Sequence, residues 1–417
     1  MPPRSPAIVS SYDDIWLIDG VRTPFADYNG VLGRVSPIDM GIKVAREIFA
    51  RSGVSPEDVG AVFAGSVAQT CFDAYVLPRH VALYAGVPHE TPALLVQRVC
   101  GTGIEALMQA ADGITLDKIE LGLIVGTESM SRNPIAAYTH RGGFLLGQVE
   151  FKDYLYEALT DTAVGLTMGD CGESLARDYK LSREEVDQFA FDSFERALAA
   201  QADGFLAGEI TPVRTEAFEQ DGYKTRGIKL SRKIKEFTED NHPRPSPLDA
   251  LSKLRPVFGG VQTAGNSSAI VDGAAAALVG SGDYLRSRNI EPLGRMVAGC
   301  VVGVPPDNMG IGPVPAIRAL LEQTGLAIDE IDRFDVNEAF GAQCLAVERE
   351  LGVDHARFNA NGGAIAIGHP LAATGIRLSV TVGRELKRSG TRYGISSACI
   401  GGGQGIALLI ENPETGA

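Results

Sequence analysis

Several patterns that mark large classes of protein are missing from this sequence. Its 417 residues carry a formal net charge of −14, so we expect neither nucleic acid nor an anionic membrane surface as the main partner. No apolar run approaches the roughly 20 residues that span a bilayer. The six cysteines include no Cys-x-x-Cys pair, so we predict no metal site and no disulfide framework.

Signals for nucleotide loops and secretion are also missing. No Gly-x-Gly-x-x-Gly follows a predicted strand, and no Lys-Ser or Lys-Thr follows a glycine-rich loop. The first eleven residues contain no apolar stretch behind a positive start, so no secretory signal is visible. Unpaired cysteines fit a reducing compartment. We therefore expect a cytoplasmic protein.

What is present is a repeated order of elements. Residues 52–59 and 324–331 align without a gap, and each stretch leads from an amphipathic helix through a glycine and a turn into a short apolar strand. Each half then has a reactive residue at the start of a glycine-flanked helix and ends in two apolar strands. The pattern predicts an α/β fold built from two duplicated halves, although two amphipathic segments can also resemble each other by chance.

The rhythm of strands and helices divides the chain into four parts. Residues 1–14 are expected to be an N-terminal extension, followed by a first short strand from Ile15 to Val21. Residues 15–128 with 259–284 form the first half, and residues 285–417 form the second. Residues 129–258 interrupt the first half with a helical block over 172–202 and a basic stretch, and we interpret them as an inserted loop domain that covers a site.

Three residues capable of chemistry lie beside glycines. Cys100 precedes Gly-Thr-Gly and a helix, whose positive end favours a thiolate. His369 lies between a glycine and a proline at a second helix start. Cys399 ends a strand and meets the glycines 401–403, whose N–H groups can hold an oxyanion. Each residue alone also fits a structural role, but their shared setting favours one site.

Two cysteines and one histidine indicate a division of labour. One sulfur would carry an acyl group, the histidine would activate that sulfur, and the second sulfur would move a proton at carbon. This arrangement suits carbon–carbon bond chemistry on thioesters better than hydrolysis. Asn337, at the end of another predicted strand, can hold a water or fix a carbonyl, or simply form a turn.

Five blocks of the sequence resemble the signature blocks of the thiolase family, in family order. They are Cys100-Gly-Thr-Gly, Thr263-Ala-Gly-Asn-Ser-Ser, Asn337-Glu-Ala-Phe, Asn361 to Pro370, and Cys399-Ile-Gly-Gly-Gly-Gln-Gly. The resemblance implies the thiolase fold, a five-layered α-β-α-β-α sandwich of two duplicated halves with an inserted loop domain over coenzyme A. It implies an acyltransferase that condenses acetyl-CoA with an acyl-CoA, or cleaves 3-ketoacyl-CoA with CoA, without a permanently bound cofactor.

The same resemblance implies a role for each chemical residue. Cys100 would take the acyl group, with His369 as its base. Cys399 would remove the α-proton in synthesis or protonate the enolate in cleavage. One oxyanion hole would be His369 with a water on Asn337, and the other would be the backbone N–H groups of Cys100 and Gly401.

Binding residues and assembly follow from the resemblance less directly. Ser268 and Met168 match positions along the pantetheine channel. Arg244 resembles an arginine near the CoA nucleotide, but its spacing to Leu254 is one residue short. Two departures, Ala372 for a frequent glycine and Thr167 for a histidine of some short-chain members, leave the acyl chain open. A homodimer or homotetramer is implied.

Two other classes of protein share parts of this pattern. A ketoacyl-synthase-type condensing enzyme resembles a Cys-His-His or Cys-His-Asn site and lacks a second catalytic cysteine, so Cys399 and Asn337 count against it. An inactive CoA-binding scaffold would not need all the chemical positions to be filled.

Overall fold

The computed structural model describes residues 7–69, 71, 73–138 and 140–415. Its helices are α1 (Pro37–Ser52), α2 (Leu77–Tyr84), α3 (Thr102–Thr115), α4 (Tyr154–Ala158), α5 (Met168–Asp178), α6 (Arg183–Ala202), α7 (Leu248–Leu251), α8 (Gly282–Arg288), α9 (Pro313–Thr324), α10 (Gly341–Leu351), α11 (Ala364–Ile367) and α12 (Leu371–Ser389). Its strands are β1 (Ile8–Arg22), β2 (Ala26–Asp27), β3 (Ala61–Gly65), β4 (Ala93–Leu95), β5 (Leu121–Ser129), β6 (Ile135–Ala136), β7 (Lys152–Asp153), β8 (Thr160–Asp161), β9 (Leu166–Thr167), β10 (Val213–Arg214), β11 (Glu216–Phe218), β12 (Arg226–Ile228), β13 (Glu236–Phe237), β14 (Val271–Ser281), β15 (Gly294–Gly303), β16 (Arg333–Val336), β17 (Tyr393–Ile400) and β18 (Gln404–Glu411).

The main sheet follows the same path twice. Its strand order is β16-β17-β18-β15-β1-β14-β5-β3-β4, with β2 beside β14. In the first half, β1 pairs antiparallel with β14, β14 pairs antiparallel with β5, and β5 pairs parallel with β3. In the second half, β15, β18, β17 and β16 repeat these three pairings in the same order. Strands β1 and β15 pair antiparallel and join the two halves. This common path confirms the duplication predicted from the sequence.

Two helices lie between the two halves of the sheet, and other helices cover its outer faces. Helix α12 packs against α3 and against strands of both halves, which makes these two helices the middle layer. Helix α1 covers β5 and β14, and α9 covers β15 and β18. Since each sheet half must bury both faces, this gives the five layers α-β-α-β-α.

The aligned stretches at 52–59 and 324–331 have the same backbone. Helix α1 ends at Gly53 with φ 70°, and α9 ends at Gly325 with φ 72°. Glycine is favoured at such a left-handed cap because it has no Cβ. A short 3-10 turn follows in each case, over Pro56–Asp58 and Ile328–Glu330, before β3 and β16 begin. The local sequence signal was therefore sufficient to predict both helix ends.

The two middle helices touch at their glycines. A Cβ on Gly103 would lie 2.6 Å from the backbone nitrogen of Ile376, and a Cβ on Gly375 would lie 2.4 Å from that of Ile104. Larger residues would force the helices apart. The close crossing therefore needs both glycines, and it brings the first turns of α3 and α12 together.

Three sequence expectations need correction. The first strand begins at Ile8, not Ile15, because Ile8 pairs with Val301 of β15; residues 8–14 of the expected extension belong to the sheet, and residues 1–6 lie outside the described residues. The helical block is two helices, since Lys180 has φ 52° and Ser182 caps α6 in a capping box. Strand β15 was not predicted at all.

The segment between β5 and β14 carries helices α4 to α7, of which α6 is the longest, and four two-stranded pairs. A buried ion-pair network ties it to β1. The guanidinium of Arg22, 2% exposed, donates to Glu209 at 2.7 Å and bidentately to Asp240 at 2.6 and 2.8 Å. Breaking such a buried pair costs roughly 3–5 kcal/mol. The boundaries at 128 and 259 stay a prediction. Among the described residues, no helix has the length and apolar character to cross a bilayer.

Candidate active site

Cys100 lies in a strained turn between β4 and α3. It is the middle residue of the 3-10 turn Val99–Gly101, and Val99 has φ 44°, which is rare for a β-branched residue. The buried hydroxyl of Thr102 donates to the carbonyl of Val99 at 2.7 Å and accepts from the N–H of Arg98 at 2.9 Å. Strain that is held in place in this way is typical of functional turns.

The second half of the chain reaches the sulfur of Cys100. The backbone N–H of Gly401, just after β17, opposes the rise in the pKa of that thiol, and a Cβ on Gly401 would lie 3.8 Å from Cγ1 of Val99, the residue before Cys100. A Cβ on Gly401 would lie 3.0 Å from the sulfur of Met168. Gly402 and Gly403 have φ 86° and 83°, a conformation that suits glycine. The glycine run therefore turns the chain so that one N–H group faces Cys100.

Cys399 is fully buried in the same region. It packs with Cys171, Met309, Ala339 and Phe340, and Met168 lies against this cluster. Burial and then the neighbouring Cys100 sulfur raise the pKa of the Cys399 thiol. Met168 thus borders both Gly401 and the Cys399 cluster, and the two sulfurs predicted to share a pocket are neighbours.

His369 is held in one orientation. Gly368, with φ 105°, allows the turn before His369, and the N–H of His369 donates to the carbonyl of Ala269 at 3.0 Å. Its Nδ1 lies 2.6 Å from the hydroxyl of Thr374, and that hydroxyl donates to the carbonyl of Pro370 at 3.3 Å. With the hydroxyl hydrogen used in this way, Nδ1 is the donor to Thr374 and Nε2 is left unprotonated.

Asn337 lies on the other side of the imidazole. It follows β16 and is fully buried, and its N–H donates to the carbonyl of Ser397 at 2.9 Å. Its Nδ2 donates to Nε2 of His369 at 3.4 Å. Its buried Oδ1 has no hydrogen-bond partner among the described residues. An open acceptor beside the imidazole can accept a hydrogen bond from a water, which fits the predicted oxyanion hole of His369 with a water on Asn337.

The electrostatics correct one sequence expectation. Burial raises the pKa of the Cys100 thiol to about 11, although the N–H groups of Gly401 and Cys100 act in the opposite direction. Burial lowers the pKa of His369 to about 3, and the charge of Arg377 adds to this effect. The helix start does not make a resting thiolate, because desolvation of the charged form outweighs it. The resting site holds a neutral thiol and a neutral imidazole.

This charge state predicts how alkylation of Cys100 depends on pH. Iodoacetamide reacts with the thiolate, so with a pKa near 11 the rate should rise about tenfold per pH unit from pH 7 to pH 10. Mass spectrometry of the Cys100 peptide measures the rate, and a Cys100→Ser variant gives the background labelling. A plateau below pH 8 would contradict the neutral pair.

Glu128 is a site residue that sequence reasoning missed. At the end of β5 it is 1% exposed, and its carboxylate accepts N–H groups of Val67, Ala68 and Ala372 at 2.9, 3.1 and 3.2 Å. It thus joins the loop after β3 to the first turn of α12, beside Cys100. Burial raises its pKa. A carboxylate closing a long apolar run was the only available signal.

Glu338 also joins separate loops through its carboxylate, in this case next to Asn337. Its buried carboxylate accepts from the hydroxyl of Ser193 at 2.7 Å, the amide of Asn359 at 2.9 Å and the N–H of Ile365 at 3.1 Å. It connects helix α6 and the loop before His369 to the turn that carries Asn337. The sequence motif contained this residue but did not indicate its role.

The predicted CoA-binding residues are placed differently from one another. Ser268, which is partly exposed, donates its N–H to the carbonyl of Ala339 at 3.0 Å, next to the Cys399 cluster. Met168 starts α5, where Thr167 forms a capping box. Arg244 is exposed, with its guanidinium near His242 and 5.5 Å from the ring centroid of Phe194. The contacts thus bring Ser268 and Met168 to the cysteines, whereas Arg244 has a separate set of neighbours.

Cys100 and Cys399 are neighbours in a buried region formed by both halves. The neutral imidazole of His369 lies close in the chain to Leu371, which packs with Cys100. This arrangement fits an acyltransferase that acts on thioesters. No cluster of three or more His, Cys, Asp or Glu side chains with metal-site geometry occurs within the described ranges.

Comparison with known proteins assigns the family. The thiolase N-terminal domain matches residues 15–283, and the thiolase C-terminal domain matches residues 290–412. The chain belongs to the thiolase family. It is an acyltransferase that condenses or cleaves acyl-CoA thioesters.

Relatives are similar along nearly their whole length. The mitochondrial 3-ketoacyl-CoA thiolase of Bos taurus is 42% identical, with 95% of this chain and 98% of the relative covered. Beta-ketothiolase BktB of Cupriavidus necator is 39% identical, with 95% and 99% covered. The crystal structure of the human mitochondrial 3-ketoacyl-CoA thiolase with CoA has a TM-score of 0.89 at 40% identity, covering 95% of this chain and 98% of that one.

Proposed function

We propose that the protein makes or cleaves 3-ketoacyl-CoA through an acyl group on Cys100. In the first step, Nε2 of His369 accepts the thiol proton while the sulfur attacks the thioester carbonyl. The bond between that carbonyl and the CoA sulfur breaks, and CoA takes the proton. The N–H groups of Cys100 and Gly401 stabilise the oxyanion. The single observation that carries this proposal is that Gly401, from the second half, lies beside the Cys100 turn of the first half, where its N–H acts on the Cys100 sulfur.

In the second step, we propose that Cys399 moves the proton at carbon. In synthesis Cys399 passes its thiol proton to Nε2 of His369, and the resulting thiolate removes the α-proton of acetyl-CoA. The carbanion attacks the acyl group on Cys100, the bond between the acyl carbon and the Cys100 sulfur breaks, and that sulfur takes the proton from His369. In cleavage its thiol protonates the enolate that leaves. The raised pKa of this buried thiol supports the assignment, because a weak acid is a strong base once it is deprotonated. Nε2 of His369, protonated at this stage, and a water on Asn337 would hold the enolate oxygen.

Coenzyme A and acetyl-CoA would be substrates, with no permanently bound cofactor. The CoA bound in the human relative supports the choice of substrate, and Ser268 and Met168 are proposed to border the pantetheine arm. For Arg244 we propose a contact to the nucleotide part of CoA, and this proposal has less support because the spacing to Leu254 is one residue short. All six cysteines are free, which fits the reducing, cytoplasmic location that we propose; cell fractionation would test it, since several relatives are mitochondrial.

The test is CoA-dependent cleavage of acetoacetyl-CoA, followed by the loss of its enolate absorbance and by the formation of acetyl-CoA. Turnover that requires free CoA is the expected result. Cleavage without CoA would contradict acyl transfer to CoA. Binding of acetoacetyl-CoA without any turnover would favour the inactive scaffold.

We also propose that copies of the chain associate through residues 135–151. This stretch has large apolar side chains that are each 40% exposed or more: Ile135, Tyr138, Phe144, Leu145, Leu146, Val149 and Phe151. Patches of this kind mark interaction surfaces. A second copy is the proposed occupant, giving a homodimer or homotetramer.

Replacing Leu145 and Leu146 by glutamate should lower the molar mass of the assembly by at least the mass of one subunit. The charged side chains would have to lose their water at an apolar interface, which disfavours association. Light scattering after gel filtration measures this change. Exposed Leu116, outside this stretch and 61% exposed, gives the matched control Leu116→Glu. An unchanged mass for the double variant would contradict this interface.

A further inference from the structure

Residues 131–138 and 141–168 include Leu155 and Leu159, which pack in the apolar cluster beside Cys100. In the described side chains of residues 131–138 and 141–168, only Leu155 is buried, with 5% of its surface exposed. Every other side chain in these ranges is partly or fully exposed. Leu155 is therefore the apolar anchor of these residues.

Leu155 reaches the surroundings of the sulfur that carries the acyl group. It forms a small cluster with Met130 and Leu371, which are 2% and 3% exposed, and Val67, Leu159 and Cys100 pack against that cluster. No side chain of the cluster besides Cys100 is polar. An acyl group on Cys100 would meet these apolar side chains first.

Leu371, Met130 and Leu155 differ in how strongly the surrounding structure fixes their backbone. Leu371 starts α12, where the next N–H group is bound by Glu128. Met130 directly follows β5, and its carbonyl accepts from Asn133 at 2.8 Å. Leu155 belongs to α4, a helix of 5 residues capped by Asp153. Regions with few buried contacts open at a lower free-energy cost than the rest of a protein, so a chain too long for the cluster would press on Leu155 before it displaced Met130 or Leu371.

We propose that Leu155 limits the length of the acyl group carried by Cys100, so that the enzyme prefers short, apolar acyl groups. The inference rests on the proposed function and names its substrate class. Longer chains would have to displace Leu155, the only buried side chain among residues 131–138 and 141–168. A chain with a terminal carboxylate would be rejected, because none of the five wall side chains can pair with a buried charge.

The test is a series of kcat/KM values over linear 3-ketoacyl-CoAs, from about four to about twelve carbons, in the wild type and in Leu155→Ala. One methylene in an apolar pocket changes kcat/KM by about tenfold or more. Leu155→Ala should therefore raise the ratio of long-chain to short-chain kcat/KM by at least about tenfold. Leu155→Met keeps the side-chain volume but bends more easily, and it should raise the same ratio by a smaller factor if the alanine variant does not fold.

The matched control is Tyr156→Ala, on the same short helix but 60% exposed, and its chain-length profile should equal that of the wild type. A profile in Leu155→Ala and Leu155→Met unchanged from the wild type would overturn the inference while leaving the proposed function intact. Equal kcat/KM for a carboxylate-ended substrate and its apolar counterpart would also overturn it. A wild type that cleaves no 3-ketoacyl-CoA of any length would instead contradict the proposed function.

Discussion

Replacing Cys100 by serine is expected to lower kcat/KM for CoA-dependent cleavage by at least about 10³-fold, which corresponds to about 4 kcal/mol of transition-state stabilisation. A hydroxyl is a much weaker acid than a thiol, and the neutral His369 beside it is a weak base, so little nucleophile would form. The measurement is a steady-state assay with acetoacetyl-CoA, together with a thermal melt that shows the variant to be folded.

The matched control for this experiment is Cys71→Ser. Cys71 is also a free, buried cysteine, and its sulfur lies 3.9 Å from the hydroxyl of Ser36. Its replacement should leave kcat/KM within about threefold of the wild type, because no chemical step uses it. If Cys100→Ser kept the turnover of the wild type, the assignment of the nucleophile would be wrong.

Replacing Cys399 by alanine should separate the two steps of the reaction. Removal of a general acid or base costs about 10²–10⁴-fold, so condensation and cleavage should fall by that factor. Acylation of Cys100 by acetyl-CoA needs no proton transfer at carbon and should persist. Intact-protein mass spectrometry after mixing with acetyl-CoA should therefore find one acetyl group per chain, on Cys100.

A second buried thiol gives the control for Cys399. Cys171 packs in the same cluster and donates to the carbonyl of Pro306 at 3.6 Å. Cys171→Ala should keep both acylation and condensation, apart from a modest loss of stability. An unacylated Cys100 in Cys399→Ala would count against the separation of roles, and so would a loss of condensation in Cys171→Ala as large as that in Cys399→Ala.

Burial determines the resting state of this site. A thiol with a pKa near 11 and an imidazole with a pKa near 3 exchange a proton only when a substrate carbonyl and the oxyanion donors are in place. Fixed N–H groups in a site without bulk solvent stabilise the developing charge without reorganisation. The neutral pair thus protects the sulfur from unproductive reactions and still allows acyl transfer.

Short-range signals in the sequence were enough for many local elements and for the family. The glycine caps at 53 and 325 act within one turn, so their spacing alone predicted both helix ends. The order of the motifs around Cys100, Asn337, His369 and Cys399 likewise predicted the family.

Only the tertiary structure decided how these parts meet and what charge they carry. The pairing of β1 with β15 and the crossing at Gly103 and Gly375 join segments about 270 residues or more apart, and no local pattern encodes such a contact. Glu128 and Leu155 acquire their roles from neighbours distant in the chain. The pKa of Cys100 rose instead of falling because desolvation depends on everything packed around a group, whereas a helix start is a property of the few residues beside it.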